Sequence, residues 1–313
     1  MNSEIITVAV LSYNSSKTII ETLDSIYNQS YQNIILIIND DGSQDQTKEI
    51  ITSWVQKNRK RFIDVKLFFH STNSGINKSF DFIINQSNSK WVKFIAADDI
   101  LLKDCIIDNL YFVKENNINT ILYSKIIPFK VENCKKIIMK DDTFELRYAV
   151  RLSKLSAKKQ YKQLLKNDIL YSPTGFINSE LYKEKIKVDT EIRNIEDWPL
   201  RLQLTLKGYK IYFMQKETVM YRIGNSVSHT SKYFYNVNHI KQIRILKRKL
   251  VYPNLSYLHI FYYLNELLEN IRYKIIIDYF RNKKNILTIG VCYITMIFDT
   301  TKWKKFLLKL LRN

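Results

Sequence analysis

The first 120 residues of the chain predict an α/β fold: a doubly wound, Rossmann-like, mostly parallel sheet, followed by a helical, basic C-terminal extension. Three observations carry this reading. Four short runs, Ile6–Leu11, Ile34–Ile38, Val65–Phe69 and Trp91–Ala96, are almost continuously apolar, the pattern of strands covered on both faces. Helical apolar stripes separate them, giving the βαβαβαβ order of parallel strands joined by right-handed crossovers. Two of the runs are followed closely by paired carboxylates, Asp40-Asp41 and Asp98-Asp99, at the strand ends where open α/β sheets bind ligands.

The elements follow in order. Strand Ile6–Leu11 runs into Ser12-Tyr13-Asn14, a polar turn that sets an aromatic ring and an amide at the sheet edge, where a base can stack and hydrogen-bond. Ile19, Ile20, Leu23, Ile26 and Tyr27 make the first helical stripe. Ile50, Ile51, Trp54 and Val55 make the second, and Phe80, Ile83 and Ile84 the third. From about residue 121 to 231 the periodicity loosens. Strands are expected around Thr120–Tyr123 and Lys210–Gln215, and a helix over Pro199–Leu206 with proline at its first position. Beyond Lys232 the chain turns helical, basic and aromatic. Ile286–Phe298 carries no charged side chain but is shorter than the about 20 residues of a membrane span. Lys283, Lys284, Lys302, Lys304 and Lys305 flank it, as for a segment lying at a membrane interface. Packing against the first domain or a second subunit explains the same run equally well. The expected division is a catalytic domain at 1–231 and a helical basic region at 232–313.

Composition narrows the classes. A chain of 313 residues can bury one large core with a smaller appendage, and 6 Gly with 4 Pro leave no room for long flexible linkers. Cys105, Cys134 and Cys292 are too scattered for a zinc set or a disulfide framework, which fits a reducing compartment. The N-terminus enters a strand with no basic n-region, so the expected location is cytoplasmic, with peripheral attachment to the inner membrane's cytoplasmic face. The net charge is +19, and Lys232–Asn313 holds 16 Lys/Arg against 4 Asp/Glu. Such a tail suits an anionic membrane surface, and a solvated basic face is the plainer explanation. It lacks helix-turn-helix, zinc or RNP-type signatures, so no nucleic-acid partner is expected.

In Asp40-Asp41-Gly42-Ser43, Gly42 permits a tight turn and a carboxylate can accept hydrogen bonds from a base N–H or a ribose hydroxyl. The same turn also reads as a cap for a helix starting near Asp45. Asp98 and Asp99 would repel each other beyond a buried strand unless a cation neutralised them. Oxygen-only ligation favours Mg²⁺ or Mn²⁺, with substrate phosphates completing the shell and a departing diphosphate polarised by the ion. A solvated acidic turn is the alternative.

Taken as an ordered set, these residues resemble the inverting, nucleotide-sugar-dependent glycosyltransferases of family 2, which have the GT-A fold. The matching segments are Val8-Ala9-Val10-Leu11-Ser12-Tyr13-Asn14, Asn39-Asp40-Asp41-Gly42-Ser43-Gln44-Asp45, Asn73-Ser74-Gly75, Ala96-Ala97-Asp98-Asp99, and Glu196-Asp197-Trp198 followed by Leu202 and Lys207-Gly208-Tyr209. The resemblance covers roughly residues 4–230 and not the tail. It implies that Ser12, Tyr13, Asn14, Asp40, Asp41, Asn73, Gly75, Asp98 and Arg222 line the nucleotide-sugar pocket, with Asp40 contacting the base. It implies a divalent metal, Mn²⁺ or Mg²⁺, on Asp98 and Asp99, with His229 as a third ligand. Asp197 would be the general base toward an acceptor hydroxyl, with Glu196 as its substitute. Arg222 would meet diphosphate oxygens, and Pro173-Thr174-Gly175-Phe176 would floor the acceptor site. One departure stands out: Ala96 occupies a position where family members often carry a further Asp.

The expected activity is transfer of a sugar, from a UDP-sugar in first place, to a glycan or lipid-linked hydroxyl in surface polysaccharide synthesis; self-association is compatible with it. A nucleotidyltransferase would show a glycine-rich phosphate loop after the first strand, yet no glycine precedes Gly42. An inactive nucleotide- or nucleic-acid-binding protein with a basic tail is the other alternative.

Overall fold

The computed structural model describes residues 4–133, 135–139, 144–166, 168, 170–223, 233, 235–255, 260–283 and 285–297. The chain divides into two compact units, Met1–Ile223 and Gly224–Asn313.

In the first unit, β1 (Ile6–Ser12), β2 (Ile34–Asp40), β3 (Asp64–Phe69) and β4 (Trp91–Ala96) lie parallel in the order β3-β2-β1-β4. Helices α1 (Ile19–Tyr27), α2 (Thr47–Asn58) and α3 (Ile76–Gln86) connect them. Ile6, Val8, Val10, Leu36 and Ile38 are buried, as continuous apolar strands require. The register pairs Ser12 with Asp40 and Leu11 with Ala96, so the polar tips of three strands share one edge. The first helical stripe differs in detail from expectation. Ile20 and Tyr27 are exposed, and Thr22 takes the buried place because its hydroxyl is satisfied by the Asp99 carbonyl at 2.7 Å.

Past β4 come β5 (Ile100–Leu101), α4 (Cys105–Glu115), β6 (Ile121–Glu132), β7 (Lys135–Ile138), α5 (Phe144–Ser153) and α6 (Ala157–Leu164). Then follow β8 (Phe176–Asn178), α7 (Ser179–Lys185), α8 (Asp197–Leu206) and β9 (Ile211–Arg222). The sheet continues β4-β8-β6-β9-β5, with β7 paired to β6. β8 runs antiparallel to both neighbours, whereas β6 and β9 are parallel. The strands expected around Thr120–Tyr123 and Lys210–Gln215 each extend to 12 residues. Their pattern is blurred because the β6–β9 register shifts on both sides of Lys125, which breaks the alternation a strand normally shows. Helix α8 starts at Asp197, two residues ahead of the expected proline, and Pro199 sits in its first turn, where an N–H would have no helical partner.

The second unit holds α9 (Val237–Leu246), α10 (Ile260–Lys274) and α11 (Ile286–Ile297), with α9 and α10 each continuing as a wider helical turn. Tyr263, Leu264, Leu267 and Ile271 on α10 are exposed, as are Ile286, Leu287, Ile289 and Ile294 on α11. Among the described residues, no helix is long and apolar enough to cross a membrane.

Candidate active site

Two turns at the tips of β1 and β2 are zipped together. Asn14, with φ +49°, accepts the Gln44 amide on its side-chain oxygen at 2.8 Å, and its own amide donates to Ser43 Oγ at 2.7 Å. Asp40 is buried and takes Ser12 Oγ at 3.1 Å, the Ser43 amide at 2.8 Å and Ser43 Oγ at 2.5 Å. Asp41, also buried, collects the Ser74 amide and hydroxyl at 2.9 Å and the Gly75 amide at 2.8 Å. Each carboxylate thus ties two segments of the site together. Tyr13, 48% exposed, is the aromatic side chain that this floor presents to solvent.

Both glycines here are required by close approach. A Cβ on Gly42 (φ +79°) would stand 2.8 Å from the Thr72 carbonyl carbon, and one on Gly75 (φ +95°) 2.7 Å from the Arg193 carbonyl oxygen. The second contact matters for assembly. Arg193 donates to the Asn73 carbonyl at 2.9 Å, and the Asn77 amide to the Arg193 carbonyl at 3.0 Å. The segment leading into α8 is therefore seated on the 73–77 turn. Asp45 fastens the turn's far end through Thr47 and the Ser16 amide. Burial alone would raise its carboxyl, but these hydrogen bonds win and hold it at about 2.

At the tip of β4, Asp98 is half-buried and Asp99 is 1% exposed. Asp99 Oδ1 accepts the Arg222 amide at 2.8 Å, while its Oδ2 is buried without a partner among the described residues. Burial raises both carboxyls, and the Asp98 charge pushes Asp99 further, well above the usual range. Arg222 is turned inward: Nε donates to the Asp98 carbonyl at 2.8 Å, Nη2 pairs with Glu21, and the guanidinium packs 4.7 Å from the Phe129 ring centre. Two crowded carboxylates with an orphaned oxygen are what a divalent cation would relieve, so the residues fit one. Among the described residues no three His, Cys, Asp or Glu converge, which leaves most of such an ion's shell to substrate oxygens and water. His229, with Ser226 and Ser228, lies outside the described residues.

Glu196 and Asp197 stand side by side where α8 begins. Ser172 Oγ reaches Glu196 at 2.9 Å and Asp197 at 3.0 Å, so one hydroxyl bridges the two carboxylates. Asp197 also accepts the Trp198 amide at 2.7 Å and pairs with Arg201 at 3.1 Å. Burial pushes Glu196 up to about 7, and the charge of Asp197 adds to the rise. Ser172 belongs to a short 3₁₀ turn, Ser172–Thr174, whose Pro173 carbonyl accepts the fully buried Lys93 ammonium at 2.7 Å. Next to it, the Tyr171 and Tyr221 rings lie 6.2 Å apart, linking this turn to Arg222 and the Asp98-Asp99 tip. The polar tips of β1, β2 and β4 thus share one sheet edge, and the Tyr171–Tyr221 ring pair joins the turn that carries Ser172 to the end of β9 beside Asp98 and Asp99. Sequence reading missed Ser172, Arg201, Asp168 and Lys93. Only Arg201 carried a signal, its place four residues after Asp197 on a helix.

Known proteins match the chain in sequence and in fold. The family model described as glycosyl transferase family 2 matches residues 7–180. A relative from Haemophilus influenzae, an uncharacterized glycosyltransferase, is 33% identical over 118 residues, 38% of this chain and 46% of its own length. The chain thus spans about half the length of that relative. An uncharacterized glycosyltransferase of Methanocaldococcus jannaschii is 24% identical over 234 residues, covering 74% of this chain and 75% of its own. Among solved structures, Staphylococcus aureus TarS 1–349 in complex with UDP-GlcNAc superposes with a TM-score of 0.56 at 18% identity, over 92% of this chain and 79% of that one. More than half the chain matches the family model, and the sheet has the mixed GT-A order with its acidic tips on one edge: the protein belongs to glycosyltransferase family 2 and has the GT-A fold.

Proposed function

We propose that the chain transfers a sugar with inversion from a UDP-sugar to a hydroxyl of a glycan or lipid-linked acceptor in surface polysaccharide synthesis. The observation that carries the reading is the Ser172 bridge between Glu196 and Asp197, which makes the two carboxylates one acid–base unit. UDP as the nucleotide is supported by the likeness to TarS, a poly(ribitol-phosphate) β-N-acetylglucosaminyltransferase, 24% identical over 78% of this chain. Tyr13 offers the exposed ring for the base, and the turns tied by Asp40 and Asp41 shape the pocket around it.

The acceptor hydroxyl gives its proton to the Glu196–Asp197 pair as its oxygen attacks the anomeric carbon. The bond from that carbon to the diphosphate oxygen breaks on the opposite face, and the nucleoside diphosphate leaves with the electron pair. A site that holds one proton near neutral pH is well matched to this task, because a base is most effective when its pKa lies near the working pH. Asp98, backed by Asp99, would hold Mn²⁺ or Mg²⁺, which when bound offsets the charge gathering on the diphosphate. Arg222 supports this tip from beneath through the Asp98 carbonyl and Asp99 carboxylate.

The second unit is assigned to an anionic membrane surface near a lipid-linked acceptor. The exposed apolar residues of α10 and α11, in a region with 16 Lys/Arg, support that assignment.

The test is binding and hydrolysis of a panel of UDP-, GDP- and dTDP-sugars with Mn²⁺, Mg²⁺ or EDTA, using wild type, Glu196→Gln and Asp197→Asn. Metal-dependent turnover confined to UDP-sugars, cut about 100-fold or more in both variants with donor binding retained, is expected. No binding of any nucleotide sugar to folded protein overturns the proposal. Cosedimentation with phosphatidylserine vesicles tests the membrane assignment; binding at low salt that fades at high salt is expected, and self-association without lipid binding would redirect it.

A further inference from the structure

Beneath the carboxylate pair lies a buried ion cluster that the reaction scheme does not use. Arg201 on α8 and Asp168 have side chains only 1% and 3% exposed, and Arg201 Nη1 pairs with Asp168 Oδ2. Its Nη2 reaches Asp197 Oδ2 at 3.1 Å and the Leu170 carbonyl at 3.4 Å. Its Nε donates to the Tyr123 hydroxyl at 2.9 Å, and the guanidinium lies 4.6 Å from the centre of that ring. Every guanidinium nitrogen is thus engaged, and the group is fixed from three elements. Asp168 Oδ1 is buried without a partner among the described residues.

One guanidinium therefore serves two carboxylates directly, with a third, Glu196, joined through Ser172. We propose that Arg201 and Asp168 are positioning residues: Arg201 aims Asp197 into the site, and Asp168 sets how much of the Arg201 charge reaches the Glu196–Asp197 pair. The proposal rests on the catalytic reading of that pair.

The electrostatics follow from counting charges in a dry place. Three carboxylates share one cation, so the cluster is relieved by one proton, and burial already holds Asp168 up at about 6 and Glu196 at about 7. The other groups facing the pair do not compensate. Tyr123 from β6, Tyr148 from α5 and Tyr182 from α7 are all raised by burial and neutral near pH 7. Arg151 lies beyond Tyr148, and Asp81 accepts from Tyr182 at 3.3 Å. Removing the Asp168 charge leaves Arg201 with one partner fewer, so its field on Glu196 grows. A shift of about one unit downward is expected for Glu196, the size usual for a change of one charge nearby.

The first arm of the test needs no substrate. Full-length protein labelled with [δ-¹³C]glutamate is titrated by NMR, with Glu196 assigned from Glu196→Gln. In Asp168→Asn the Glu196 titration is expected to move down by about one unit, and in Arg201→Met to move up. Arg201→Lys restores the charge and returns the titration toward wild type, yet lowers kcat rather than raising KM, because lysine has no fork to hold two carboxylates. An unchanged Glu196 titration in folded Asp168→Asn overturns the proposal. Where Asp168→Asn fails to fold, Arg201→Lys serves alone, and wild-type kcat in it is the contrary result. If Glu196→Gln and Asp197→Asn keep full turnover, the catalytic reading fails while the titration still stands.

Discussion

Glu196→Gln should make the protein more stable, by an amount that grows from about pH 4.5 and levels off above about pH 7. The perturbation removes a carboxyl but keeps the carbonyl oxygen that accepts from Ser172. In the folded chain this carboxyl is raised from 4.5 to about 7. A raised folded value means that stability is fully present below the unfolded value and drains away as pH rises through the folded one. Below about 4.5 the carboxyl is neutral in both states and costs nothing. Between there and about 7 the unfolded chain ionises first, and above that the loss is complete. At about 1.4 kcal/mol per unit the wild type carries a penalty of roughly 3 kcal/mol at alkaline pH, which glutamine cannot incur. Urea denaturation followed by circular dichroism, repeated from about pH 4 to pH 9, should show the two curves meeting at the acid end and separating by up to that amount. A constant offset across the range would refute the reasoning, because it would mean that Glu196 titrates alike in both states. A carboxyl that destabilises the fold near neutral pH is what the proposed acid–base role of Glu196 calls for.

Gly75→Ala should destabilise by about 2–5 kcal/mol, because its φ of +95° disfavours a side chain and the new methyl would press on the Arg193 backbone. Lower donor affinity should accompany the lower denaturation midpoint, since the 189–193 segment must shift; unchanged stability would show that this contact gives way freely. Asp45→Ala should cost about 1 kcal/mol at pH 7, allowing for solvent around a half-buried group. Its folded value, near 2, lies below the ordinary 3.8, so the stabilisation is present above that ordinary value and fades toward pH 2, where mutant and wild type should converge on thermal melting.

Much of the first half was legible because parallel strands buried on both faces and amphipathic helices write their periods plainly. Asp40, Asp41, Asp98 and Asp99 were found for the same reason, each lying just past an apolar run. What stayed hidden depends on pairing across distance. Ser172 meets Glu196 and Asp197 only after the chain turns back through β8, and Asp168 meets Arg201 from a segment with no period of its own. The inward turn of Arg222 was equally unreadable, since a charged residue at a strand end looks the same whether it faces ligand or carbonyl. The long β6 and β9 were truncated in the reading because their shifted register hides the alternation.

The three-residue strand β8 also has a bearing on how such a protein diversifies. It is the only rung between the four parallel strands and the β6–β9 pair among the described strands, held by pairs such as Val92 with Ile177 and Leu122 with Phe176. A joint so short, braced by the stacked rings of Trp91 and Phe176 at 4.9 Å, behaves as a suture between two panels. Outside the sheet, the Asn77–Arg193 and Asp98–Arg222 contacts tie the same two panels together. A chimera of related chains cut at this suture therefore needs both partners of those contacts from one parent, because β8 alone does not carry the seam.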